Sequence, residues 1–255
     1  MSYINASGAA SIASALAANT KLRSLELTHN PLLDEGACHL GRALASNASL
    51  RVLAVPFTGL GDGACAALAL ALQAGARLGV LDLSGNRLTE AGIAVLAAAL
   101  HHGELTSLSL SANQKVGPTG TLALAAALPA ALSLRTLALD GCAIGPAPCG
   151  RLACALSRCN VASLELSDNE IGDEGAWELA WRLPECAELR HLGLAVNEIE
   201  EDGAAELLGH LSTGHAALTS LDLRGNRIAP KSAASEGLAA TGLANLRFQR
   251  AARAW

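Results

Sequence analysis

Aromatic side chains are nearly missing from this chain: Phe, Trp and Tyr make up 2% of its 255 residues. Large anchors of the kind that dominate tight protein interfaces are therefore few. Charged residues are also sparse at 16%, and the formal net charge is -5. Without a basic stripe to offset phosphate repulsion, nonspecific nucleic-acid binding is disfavoured. Apolar residues reach 51%, yet charges interrupt every longer run, and no window resembles a membrane span. Seven cysteines (Cys38, Cys65, Cys142, Cys149, Cys154, Cys159 and Cys186) form an odd set without a C-x-x-C pair. Free thiols in a reducing, cytoplasmic compartment are expected rather than a disulfide framework. No Cys/His cluster has zinc-site spacing, and neither G-x-x-x-x-G-K nor H-E-x-x-H occurs. The opening MSYINASGAAS has no basic region followed by an apolar one, so no secretory signal is expected.

What is present is a repeat. Leu22, Leu50, Leu78, Leu105, Leu134, Val161, Leu189, Leu218 and Leu243 each open the pattern L-x-x-L-x-L, at separations of 28, 28, 27, 29, 27, 28, 29 and 25 residues. The unit from Leu78 reads LGVLDLSGNRLTEAGIAVLAAALHHG, a strand, a turn and an amphipathic helix. A period in the high twenties with this pattern predicts an α/β leucine-rich repeat solenoid. Strands stack about 4.8 Å apart and helices about 8 to 10 Å apart, so the body must curve, with a parallel sheet on its concave face and α-helices on its convex face.

Each part of the unit has a physical role. Leu78, Leu81 and Leu83 point inward with period two, while Val80 and Asp82 face the other way. Asn86 stands at the turn, where its amide can bond backbone groups otherwise buried and unpaired. Asn30, Asn113, Asn169, Asn197 and Asn226 are its equivalents and predict a ladder, with Thr58 and Cys142 as weaker links. Asp34, Asp62, Glu90, Asp173 and Glu201 stand near the helix starts, where carboxylates suit orphan N–H groups and the positive helix end. Gly36, Gly92, Gly120, Gly175 and Gly203 keep the first turn slim where units crowd.

The chain reads as one domain, 1–255. Residues 1–21 form a helical half-repeat, 22–242 eight strand-helix repeats, and 243–255 a last strand and cap. Gly8 to Leu16 match the helical half of a unit whose strand is missing, with Ile4 as its plug, as a segment of a longer protein would show. At the far end Glu236 takes an expected leucine position. A tail with Arg247, Arg250, Arg253 and Trp255 is expected to cover the last unit.

The units resemble the ribonuclease-inhibitor-like subclass of leucine-rich repeat proteins, and VASLELSDNEIGDEGAWELAWRL follows its consensus closely. Known members bind or regulate other proteins, among them an activator of a GTPase, receptor sensors and bacterial effectors. The phrases GACHLG, GACAALA, GIAVLA and GAWELA are also similar to the GALA-type repeats of plant-pathogen effectors. Those proteins bind host targets through the repeats; their F-box is not found here. The resemblance implies a non-enzymatic protein-binding module, such as the target-recognition region of an effector or intracellular sensor. An effector would act in the host cytoplasm. A GTPase-regulating protein, touching its partner with a loop arginine such as Arg87 or Arg227, and a structural or self-associating module are the alternatives.

Candidate binding residues lie on two surfaces. On the concave face Glu26, Asp82, Asp140, Glu165 and Asp222 make an acidic strip, interrupted by His191 and Arg224, that would steer a basic partner protein. On the convex side Trp177 and Trp181 stand four apart on one helix face. The expected arrangement packs an indole into a shallow site left by Ala205 and Gly209; a partly exposed contact patch is the other reading. No catalytic, cofactor or metal site is expected: His29 and His191, the histidines near the sheet, lie roughly 25 to 30 Å apart by strand spacing.

Overall fold

The computed structural model describes residues 3–212, 217–229 and 245–247. Nine three-residue strands form one sheet in sequence order: Ser24–Glu26 (β1), Val52–Ala54 (β2), Val80–Asp82 (β3), Ser107–Ser109 (β4), Thr136–Ala138 (β5), Ser163–Glu165 (β6), His191–Gly193 (β7), Ser220–Asp222 (β8) and Asn245–Arg247 (β9). All pairings are parallel, and Leu25, Leu53, Leu81, Leu108, Leu137, Leu164, Leu192, Leu221 and Leu246 fall in one row of the register. That row is the fourth position of every repeat, so the spacing in the sequence becomes alignment in space.

Among the described residues eight α-helices alternate with the strands: Ala6–Ala18 (α1), Leu33–Ser46 (α2), Asp62–Gln73 (α3), Glu90–Ala99 (α4), Gly117–Ala127 (α5), Cys149–Leu156 (α6), Gly172–Arg182 (α7) and Glu201–Ser212 (α8). Each packs on the next, and a single core of leucine, isoleucine and alanine runs between helices and sheet. The fold is a leucine-rich repeat solenoid. At its start α1 covers the first unit, Ile4 packs against the core, and the Ile4 N–H donates to Asn30 Oδ1 at 2.8 Å. Glu236, Leu243 and the tail residues Arg250, Arg253 and Trp255 lie outside the described residues. Among the described residues no helix is long and apolar enough to cross a membrane.

The asparagine ladder forms as the repeat requires. Asn169 Nδ2 donates to the carbonyls of Leu139, Leu166 and Ser167 at 2.8, 2.9 and 3.1 Å. Its Oδ1 accepts from the N–H groups of Cys142 and Ile144 at 2.8 and 3.4 Å. Asn86, Asn113, Asn197 and Asn226 likewise bond both their own turn and the preceding one. Thr58 reaches only the Val55 carbonyl of its own turn and the Asn86 oxygen. The Cys142 thiol donates to the Leu110 carbonyl at 3.3 Å, and burial pushes its pKa up to about 12, so it serves as a weak donor rather than a thiolate.

Two features go beyond the sequence reading. The Asp34, Asp62 and Asp173 carboxylates hydrogen-bond the next unit rather than their own helix. Asp34 accepts from the N–H groups of Gly61, Gly63 and Ala64 at 2.6, 3.2 and 3.3 Å. Asp62 accepts from the Thr89 N–H at 2.9 Å and the Thr89 hydroxyl at 2.6 Å, and Asp173 from the Glu200 N–H at 2.7 Å. The neighbouring helix start, with its orphan donors, lies beside each carboxylate. Gly92 and Gly203 are small for this reason: a methyl group there would overlap the Asp62 and Asp173 carboxylates.

The residue before each ladder position is left-handed. His29, Phe57, Ala112, Asp168 and Val196 have φ of 57°, 54°, 58°, 59° and 55°, and Gly85, Gly141 and Gly225 fill the same place. The turn dictates this conformation, and only three of eight units supply the residue that adopts it without strain.

Candidate concave binding surface

The three strand positions alternate between core and concave face, so the first and third residues of each strand build the surface. The first-position row reads Ser24, Val52, Val80, Ser107, Thr136, Ser163, His191, Ser220 and Asn245; the third-position row contains Glu26, Asp82, Glu165, Asp222 and Arg247. In the C-terminal half these rows line an open concavity of about 630 Å³ together with Asp140, Ser167 and Arg224.

A hydrogen-bonded chain crosses its floor. Glu165 Oε1 lies 2.7 Å from His191 Nε2, and His191 Nδ1 lies 2.9 Å from the Ser220 hydroxyl. The Glu165 carboxylate reaches across because its in-register neighbour is Gly193, whose place a side chain would contest. Burial raises the Glu165 pKa, His191 pulls it back, and Asp140 and Asp222 add to the rise; the net direction is upward. Asp222 is largely buried, which pushes its pKa up. Three hydrogen bonds from the Arg224 guanidinium, at 2.6 to 3.0 Å, outweigh that and hold it below the usual carboxylate value. Asp140 accepts from the Ser167 N–H at 2.8 Å and the Ser111 hydroxyl at 3.1 Å.

The acidic strip is thus divided. Glu165 and Asp222 each have a basic neighbour, His191 and Arg224, whereas Glu26, Asp82 and Asp140 have serines and backbone groups. The two ends do not meet: Glu26 is on β1 and Asp222 on β8, at opposite ends of the sheet. Ser163, Ser220, Asn245 and Arg247, which also line the concavity, were not placed on this face by the sequence reading, which, apart from the histidines, weighed the third position and the residue two beyond it. Aligning the first strand residue across units would have placed His191 beside Ser220.

Elsewhere the structure corrects one expectation. Trp177 and Trp181 are 45% and 56% exposed, and no indole is buried in the Ala205–Gly209 site. The two rings stack on each other at 6.0 Å, and Trp181 meets His210 edge-on at 5.7 Å. Spacing by one helical turn lets each ring cover the other over α7 itself. Arg227 is held by Glu198 at 3.1 Å and Glu200 at 3.5 Å. Among the described residues no group of three or more His, Cys, Asp or Glu could hold a metal ion.

Comparison with a repeat-family profile agrees with the repeat. The leucine-rich repeat family profile matches residues 18–37, 158–180 and 216–235. No curated protein matches the chain. Among solved structures, a chain of the yeast Rad7–Elc1 complex is similar at 15% identity and a TM-score of 0.38, covering 89% of this chain and 75% of that one. An internalin of Listeria monocytogenes is similar at 13% identity and a TM-score of 0.26, covering 96% of this chain and 94% of that one. The matched segments and the nine-stranded parallel stack agree on a leucine-rich repeat fold, without pointing to a subtype.

Proposed function

We propose that this chain is a protein-binding module whose concave face recognises a basic surface on its partner. The observation that carries the reading is the concavity across β5–β9, where Asp140, Glu165 and Asp222 converge with His191, Ser220 and Arg224. Hydrogen-bonding groups of both signs give such a surface specificity. The carboxylates of Glu26, Asp82 and Asp140, which make no ion pair among the described residues, supply the field that steers the encounter. In a larger setting the module serves as the target-recognition region of an effector or intracellular sensor.

A photo-crosslinking residue placed at Ser163 is expected to capture a protein that the same residue at Ala98, on the convex side, does not. Combined Asp82→Asn, Asp140→Asn and Glu165→Gln substitution should then slow association with that protein several-fold at low salt and flatten its salt dependence. Equal capture at the two positions, or unchanged kinetics across salt, would reject the concave face.

A further inference from the structure

The four aromatic side chains among the described residues, Tyr3, Phe57, Trp177 and Trp181, are all exposed. The core is built without them. The tryptophan pair also has an electrostatic setting of its own. Between α7 and α8 an open groove of about 470 Å³ is lined by Asp173, Glu174, Trp177, Asp202, Gly203, Ala205 and Glu206. Four carboxylates and one indole thus share a lining that contains no lysine or arginine. Asp173 is engaged with the Glu200 N–H, and Glu206 lies 3.8 Å from His210. Small residues on the facing side, Gly203 and Ala205, leave the groove open above the ring.

We propose that this groove binds a lysine- or arginine-bearing segment of a protein partner. The cationic head sits over the Trp177 ring, flanked by Glu174, Asp202 and Glu206, and the aliphatic stem lies along the Trp177–Trp181 stack. An indole face attracts a cation through its quadrupole, and carboxylates around it add charge complementarity. Lysine and arginine present an apolar stem and a charged head, and the groove presents an apolar ring and a charged rim in matching order. This surface is on the helix side of the solenoid, so it is independent of the concave face.

The test uses an acetylated and amidated decapeptide of alternating lysine and glycine, followed by calorimetry, with a glutamate–glycine decapeptide as control. Wild-type protein should bind the lysine peptide and not the control. Trp177→Leu keeps apolar bulk but removes the ring, and should weaken binding roughly three- to tenfold. Glu174→Gln with Asp202→Asn and Glu206→Gln should weaken it comparably and reduce its salt dependence. Glu35→Gln with Glu104→Gln, both exposed and outside the groove and the concavity, should leave it unchanged. Equal affinity for wild type and Trp177→Leu overturns the proposal, as does loss of binding only in the variant at Glu35 and Glu104. A wild-type dimer in sedimentation that Trp177→Ala with Trp181→Ala dissolves also overturns it, in favour of a second copy as occupant.

Discussion

Two polar rows run along the same coil, one at the turn edge and one across the sheet face, and they are completed to different degrees. At the edge Asn169 is fully buried and makes five side-chain hydrogen bonds, three given and two received. On the face, Glu165 makes one contact with a histidine, and Asp140 leans on serines and a backbone N–H. Water explains the difference. A buried backbone group left unpaired is costly, so the turn imposes one residue type on nearly every unit. A residue facing solvent has water as a partner, so each unit can carry a different side chain. The edge repeats because the fold needs it, and the face varies because the fold does not.

Breaking the edge should have the largest effect. Asn169→Ala strands the N–H groups of Cys142 and Ile144 and the Leu139 carbonyl, since Gly141 and Asn197 still donate to Ser167 and Leu166, and should cost about 2 to 3 kcal/mol in urea unfolding. Cys142→Ala occupies the same place but removes one weak thiol donor and a small volume, and should cost no more than about 1 kcal/mol. Equal losses would show that position in the coil, rather than the number of bonds, sets the price. Because units are coupled through their interfaces, the loss should broaden or shift the whole transition rather than release one turn.

A gain should come from the residue before the ladder. Val196 is β-branched and held at φ 55°, a conformation that such side chains strongly disfavour. Val196→Gly should therefore stabilise the protein by about 1 kcal/mol despite the greater freedom of glycine in the unfolded chain. A loss in thermal unfolding would mean that packing of the valine against Gly225 outweighs its strain.

These positions show what the sequence discloses. Leucine spacing gave the strand register residue for residue, and asparagine spacing gave the ladder, because burial leaves little chemical choice. The left-handed turn was hidden, since three glycines among eight units do not make a visible pattern when the other five tolerate strain. The carboxylate links were misassigned because a contact between Asp34 and Gly61 is a property of stacking; neither residue's own helix contains it. The same holds for Glu165, His191 and Ser220, which come from three successive units and meet only once the register is known. The tryptophans were legible as an anomaly, but whether an indole turns into a neighbouring site or onto its partner depends on side-chain packing that spacing alone leaves open.

The smallest expected effect tests whether the face is indeed the less completed row. Glu165 has a pKa raised by burial, then by Asp140 and Asp222, with His191 opposing. The folded protein therefore holds this proton more tightly than the unfolded chain does. Linkage then makes Glu165 reduce stability as pH rises from its ordinary value of 4.5 through its raised folded value, after which the contribution is constant. Asp222 acts in the opposite sense. Its pKa is lowered by Arg224 against burial, so its contribution is present above the ordinary aspartate value and is lost as pH falls through the depressed one. The two windows lie on either side of about pH 4, which separates them in a urea series. Glu165→Gln should remove the decline above that pH and leave the acid side intact, whereas Arg224→Gln should weaken the acid-side dependence and leave the decline. The effect should be modest, since Glu165 is partly exposed and water screens it. If Glu165→Gln leaves the slope unchanged, the hydrogen bond to His191 already compensates for burial, and the face is as fully satisfied as the edge.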